Sequence, residues 1–160
     1  MKNKTAVYPG SFDPITNGHL DIIGRAAAIF DNVYILVAIN PSKSPLFKLQ
    51  ERIQMIEEAT KELPNVKTAT FDGLLVDFAK MNDCSVIIRG LRAISDFEYE
   101  LQMAMMNKKL AEEIETIFMT PNEKYTYLNS SIVKQVASFG GDVTNFVPEN
   151  VRKALLQKFS

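Results

Sequence analysis

Tyr8-Pro9-Gly10-Ser11-Phe12-Asp13-Pro14-Ile15-Thr16-Asn17-Gly18-His19 is the stretch that decides how this chain folds. It follows a short apolar run, Ala6-Val7-Tyr8, and opens onto a pattern in which Leu20, Ile23, Ala27 and Phe30 share one helical face. A strand passing through a glycine-bearing turn into a helix begins a strand–helix–strand unit, whose ligands bind at the carboxyl ends of the strands. Gly10 and Gly18 let the backbone approach a phosphate closely, and the helix after Gly18 offers unpaired N–H groups to an anion. The stretch is neither a P-loop, since no Gly-Lys-Ser/Thr follows, nor a G-x-G-x-x-G turn. His19, the chain's single histidine, falls in the first turn of the helix. A histidine there either packs the loop or faces a bound anion, and its place behind such a loop favours the anion.

Outward from this stretch, short apolar runs alternate with amphipathic ones. Residues 33–39, 66–71, 85–89 and 116–119 are further strand candidates. Helical periodicity covers 49–62, 74–81 and 96–111. The tail adds helices at 130–139 and 149–159 with no strand between them, and with Pro148 in the first turn of the second. Crossovers of this length require parallel pairing. The expected fold is α/β: a Rossmann-like, doubly wound parallel five-stranded sheet with helices on both faces and a helical C-terminal tail. No repeat, low-complexity tract or flexible linker divides the chain, so residues 1–160 read as a single domain.

Composition narrows the function. The 160 residues are 46% hydrophobic and 23% charged, which excludes a disordered chain. Eighteen basic residues against nineteen acidic ones argue against a nucleic-acid binder with a broad basic surface. Small phosphorylated ligands, which need only a few cations in one cleft, remain open. Cys84, the only cysteine, can form neither an intramolecular disulfide nor a cysteine-based zinc site, and it reads as a buried small hydrophobe. The first residues lack the apolar core of a signal peptide, and the longest apolar run is too short to cross a bilayer. A cytoplasmic location without a membrane partner is expected.

Three further segments carry chemistry. In Ile88-Arg89-Gly90-Leu91-Arg92-Ala93, two arginines flank a glycine at the end of an apolar strand, which suits a phosphate clamp better than a solvated pair. The acidic Asp96 and Glu98 that follow suit a helix N-terminus. Lys43, after the second strand, is either an exposed loop lysine or a cation reaching the same cleft. In Tyr125-Thr126-Tyr127-Leu128-Asn129-Ser130-Ser131-Ile132-Val133-Lys134, the paired serines either cap a helix or present hydroxyls and N–H groups to a polyphosphate.

Taken together, these segments resemble the bacterial phosphopantetheine adenylyltransferases, of the nucleotidyltransferase superfamily with a T/H-x-G-H motif. The resemblance runs from Tyr8 through Thr16-Asn-Gly-His19, Pro41-Ser-Lys43, Arg89-Gly-Leu-Arg92, Asp96-Phe-Glu-Tyr-Glu100 and Asn129-Ser-Ser131. It continues to Gly141-Asp-Val-Thr144 and Val147-Pro-Glu-Asn-Val151. It implies transfer of AMP from ATP to 4′-phosphopantetheine, giving dephospho-coenzyme A and pyrophosphate by direct in-line attack. It also implies magnesium carried mainly on the ATP phosphates, a homohexamer, and coenzyme A as a feedback ligand.

Residue by residue, the resemblance implies that His19 stabilises the transition state, with Lys43 and Arg92 completing the catalytic set. Ser11, Phe12, His19, Gly90, Leu91, Arg92 and Glu100 would contact ATP, together with Tyr125, Thr126, Tyr127, Leu128, Asn129, Ser130 and Ser131. Ser11, Lys43, Leu75 and Arg89 would hold 4′-phosphopantetheine, and no residue is assigned to metal. Ser11 stands where many members carry threonine, and Asn129 where a serine is common. The alternatives are a related transferase with another phosphate acceptor, disfavoured by the 89–100 block, and a silent nucleotide- or coenzyme A-binding regulator.

Overall fold

The computed structural model describes residues 4–39, 44–92 and 97–160. Its five strands are β1 (Thr5–Gly10), β2 (Asn32–Ala38), β3 (Val66–Phe71), β4 (Cys84–Gly90) and β5 (Glu115–Met119). They pair in parallel in the order β3-β2-β1-β4-β5. Helices α1 (Asn17–Ile29), α2 (Leu49–Ala59), α3 (Leu75–Met81) and α4 (Phe97–Leu110) connect successive strands, and α5 (Ser130–Ser138) and α6 (Glu149–Phe159) follow β5. This is the expected Rossmann-like sheet with a helical tail. Pro148 caps α6 from just outside, its carbonyl accepting from Val151 and Arg152 N–H, rather than sitting in the first turn.

The two-residue period of the strands sorts the core onto both faces. Ala6, Tyr8, Val33, Ile35, Val37 and Ile88 pack with Ile22, Ile23, Ile56, Val133, Val151 and Leu155 on one side. Val7, Leu36 and Ile87 pack with Val76, Phe78, Ala79 and Cys84 on the other. Cys84 is buried as read from the sequence. The stripe that α1 buries is Ile22, Ile23 and Ala26, with Phe30 capping the helix; it includes two residues that the simple periodicity omits. In α2 the buried residues are Met55, Ile56 and, unexpectedly, Arg52. No helix among the described residues is long and apolar enough to cross a membrane.

The chain order reverses between β1 and β4, since β2 and β3 extend the sheet to one side and β4 and β5 to the other. Helices leaving these two strands cover opposite faces, which leaves a crevice at their carboxyl ends.

Candidate active site

That crevice is a cleft of about 1000 Å³. Its floor is the end of β1 with the loop into α1; Arg89, Gly90 and Arg92 line the β4 side, and Asn129, Ser130, Ser131 and Lys134 overhang from the start of α5.

His19 sits at its centre in a defined state. Thr16 caps α1: its N–H donates to His19 Nδ1 at 3.0 Å, and its hydroxyl oxygen accepts from His19 N–H at 3.4 Å. An Nδ1 that accepts a backbone N–H carries no proton, so a neutral ring is protonated at Nε2. The imidazole packs edge-on against Phe12 at 4.9 Å and near Tyr8 at 6.4 Å between ring centres. Burial, and secondarily the charge of Arg92, push its pKa down to about 4. At neutral pH His19 is therefore an uncharged hydrogen-bond donor. Burial likewise keeps the Tyr8 phenol protonated far above its ordinary pKa, with Arg89 and Arg92 only partly opposing it.

Asp13 ties three elements together. Its Oδ2 accepts from Leu46 N–H at 2.9 Å and from Lys134 Nζ at 2.9 Å, and its Oδ1 accepts from Phe47 N–H at 2.9 Å. Burial raises its pKa, but the donors from Phe47, Lys134 and Leu46 outweigh that and hold it below the usual carboxylate value. Ser130 adds a second tie, its hydroxyl donating to Pro14 carbonyl at 2.7 Å. Asn129 caps α5, its side chain accepting from Ile132 N–H at 2.8 Å.

On the β4 side, Arg89 makes a bidentate pair with Glu100: Nε to Oε2 at 2.8 Å and Nη2 to Oε1 at 2.7 Å. Arg92 Nη1 donates to Leu128 carbonyl at 3.1 Å. Among the described residues no group of three His, Cys, Asp or Glu side chains could hold a metal ion. Asp13 and Glu100, the carboxylates lining the cleft, are each committed to a cation. Such a donor set fits a metal bound mainly through a ligand's own phosphates.

The structure brings together Ser11, Phe12, His19, Arg89, Gly90, Arg92, Glu100, Tyr125, Leu128, Asn129, Ser130 and Ser131 around the cleft. Phe12 and Leu128 are buried in the cleft wall. Leu91, Thr126 and Tyr127 lie outside the lining, and Tyr127 stacks edge-on with Phe146 at 6.4 Å. Leu75 also lies outside it, packed on the cluster around Val7 and Leu36. Lys43 and Asp96 fall outside the described residues. Sequence reasoning passed over Asp13, Arg52 and Lys134, all of which line the cleft. Arg52 had a signal: it lies three residues after Leu49 and four before Ile56, on the apolar face of α2.

A Rossmann-type switch-point cleft with a partly buried histidine and flanking arginines marks a class of nucleotide-transferring folds, and the comparisons agree. The cytidylyltransferase-like family model matches residues 7–136. A phosphopantetheine adenylyltransferase from Methylococcus capsulatus is 55% identical over 99% of this chain and 98% of its own length. One from Dictyoglomus turgidum is 57% identical over 96% of both, and one from Caldanaerobacter subterraneus subsp. tengcongensis is 54% identical over 98% of both. A Vibrio parahaemolyticus protein named as a nicotinate-nucleotide adenylyltransferase shares the fold, with a TM-score of 0.74 over 97% of this chain and 93% of its own, at 17% identity. The chain belongs to the cytidylyltransferase-like nucleotidyltransferases and, within them, to the phosphopantetheine adenylyltransferase family.

Proposed function

We propose that this chain, as a single nucleotidyltransferase domain over residues 1–160, transfers AMP from ATP to 4′-phosphopantetheine, releasing pyrophosphate and forming dephospho-coenzyme A. The observation that carries this reading is near-full-length identity of 54–57% to relatives named for that enzyme. The acceptor phosphate is a nucleophile at neutral pH, so its attack on the α-phosphorus needs no general base. Positioning and charge stabilisation lower the barrier. His19 donates from Nε2 to the α-phosphoryl oxygens as charge builds there, and its neutrality spares the site a buried cation in the ground state. Arg92, from the β4 side, and the N–H groups opening α5 hold the ATP phosphates, with Lys43 joining the catalytic set. Magnesium, riding on those phosphates, supplies charge neutralisation.

Arg89 reaches the acceptor phosphate and Glu100 orients it, so the role of Glu100 in contacting ATP is shared with holding Arg89. The chain works in the cytoplasm, takes coenzyme A at the same cleft as a feedback ligand, and assembles as a homohexamer. What supports assembly is α4: none of its residues is buried, and Leu101, Met103, Met105, Met106 and Leu110 are exposed. An apolar helix left open in this way marks an interaction face.

Pyrophosphate release with ATP and magnesium tests the reading, with 4′-phosphopantetheine, nicotinamide mononucleotide and glycerol 3-phosphate as acceptors. Release only with 4′-phosphopantetheine, matched by dephospho-coenzyme A, is expected. Release with another acceptor alone overturns the substrate, and ATP binding without any release overturns the enzyme.

A further inference from the structure

Among the described residues, charge pairing in the cleft leaves the buried Arg52 guanidinium without an acid. Lys134 is held by Asp13, and Arg89 by Glu100. Arg52 reaches the cleft from α2 and is only 6% exposed. Its Nη1 donates to two backbone carbonyls, Ser11 at 2.7 Å and Ala38 at 3.3 Å. Its Nε is buried without a hydrogen-bond partner, and among the described residues no carboxylate pairs with it. A buried, fully charged guanidinium is costly unless an anion meets it, and carbonyl dipoles compensate only part of its charge.

Its location says which anion. The Ser11 and Ala38 carbonyls lie at the ends of β1 and β2, and β2 and β4 flank β1 on opposite sides. The nucleotide-side group Gly90 and Arg92 is at the end of β4, so Arg52 stands on the other side of β1 from it. We propose that Arg52 is a phosphate-binding residue of the cleft, its guanidinium meeting the acceptor's phosphate from the β2 side while Arg89 reaches it from β4. The assignment rests on the adenylyl-transfer reading above. A planar fork whose Nη1 is fixed by two carbonyls at the edge of the cleft is preorganised to meet a phosphate. It would orient the attacking oxygen as well as bind it.

The test separates contact with phosphate from support of the fold. Binding of 4′-phosphopantetheine, of pantetheine lacking the phosphate, and of ATP is measured by calorimetry on the wild type, Arg52→Gln and Arg52→Lys. For Arg52→Gln we expect Kd for 4′-phosphopantetheine to rise about 10- to 100-fold, the scale of a charge-assisted hydrogen bond. Kd for pantetheine and for ATP should each change less than about threefold, within the scatter of a neutral substitution. Arg52→Lys, which keeps a charge but loses the fork, should fall between wild type and Arg52→Gln. Equal losses for both acceptors, a loss confined to ATP, or no loss at all would overturn the assignment. If Arg52→Gln does not fold, the same criteria apply to Arg52→Lys. A wild type that releases no pyrophosphate with 4′-phosphopantetheine sinks the functional reading instead, which keeps the two failures apart.

Discussion

His19 is a donor whose protonation is set before any substrate arrives. The Thr16 N–H occupies Nδ1, and burial disfavours the imidazolium, so the ring enters the reaction neutral with its proton on Nε2. Replacing it with alanine should lower kcat at least ~100-fold, the effect of losing one well-placed oxyanion donor, with the fold intact by circular dichroism. Near-normal turnover would remove the assigned role. Because the folded pKa of about 4 lies below the ordinary 6.5, the unfolded chain binds a proton at this site in the window between them while the folded chain does not. The stability from keeping His19 neutral is complete above pH 6.5 and is lost as pH falls toward 4. His19→Asn should therefore show a shallower loss of urea midpoint between pH 6.5 and 4 than the wild type. In the same window kcat of the wild type should not fall near 6.5 as the pH rises; such a fall would mean that the imidazolium is the active form.

At the scale of elements, Asp13 links the β1–α1 loop to the segment leading into α2 and to α5, so both sides of the cleft hang on one carboxylate. Asp13→Asn leaves Lys134 unpaired and removes one acceptor from the Leu46 and Phe47 N–H pair. It should cost about 2–4 kcal/mol in urea denaturation, somewhat less than the ~3–5 kcal/mol for breaking a fully buried ion pair, because Lys134 is partly exposed. A loss below about 0.5 kcal/mol, typical of surface substitutions, would show that the tie is not structural. Asn129 works more locally. Asn129→Ala removes the cap of α5 and should cost about 1 kcal/mol while raising KM for ATP, whereas Asn129→Ser keeps an accepting oxygen and both values near wild type. An unchanged KM for ATP in Asn129→Ala would separate the cap from the nucleotide.

The elements themselves were legible in the sequence because their periods are local. The apolar run at 33–39, rich in β-branched residues, announces a strand, and the 3.6-residue pattern from Leu20 to Phe30 announces α1. The Asp13 contacts were not legible, since Leu46 and Lys134 lie 33 and 121 residues away along the chain. Arg52 was hidden differently: by residue type it belongs on a solvated face, and its place on the apolar stripe of α2 makes sense only once the carbonyls of Ser11 and Ala38 are seen to meet it.

At the scale of the molecule, the strand order puts one crevice at the β1–β4 reversal and leaves α4 uncovered on the outside. Under the proposed function these two features would divide the work: the crevice for phosphates, and the exposed face of α4 for copies of the chain. Sedimentation velocity of the wild type at micromolar concentration should show a species several times the monomer mass, and Met105→Glu with Met106→Glu should move it toward the monomer by placing charge where an apolar contact is needed. A wild type that sediments as a monomer would overturn the assembly.

The sequence by itself determined the fold class, the strand-to-helix turn carrying His19 and the family, because each depends on patterns contained in short segments. The tertiary structure alone decided that His19 is a neutral donor, that Arg89 is already engaged by Glu100, and that Arg52 is buried with no acid beside it among the described residues. Protonation and pairing depend on which groups from distant segments share a poorly hydrated space, and only the folded chain puts them there.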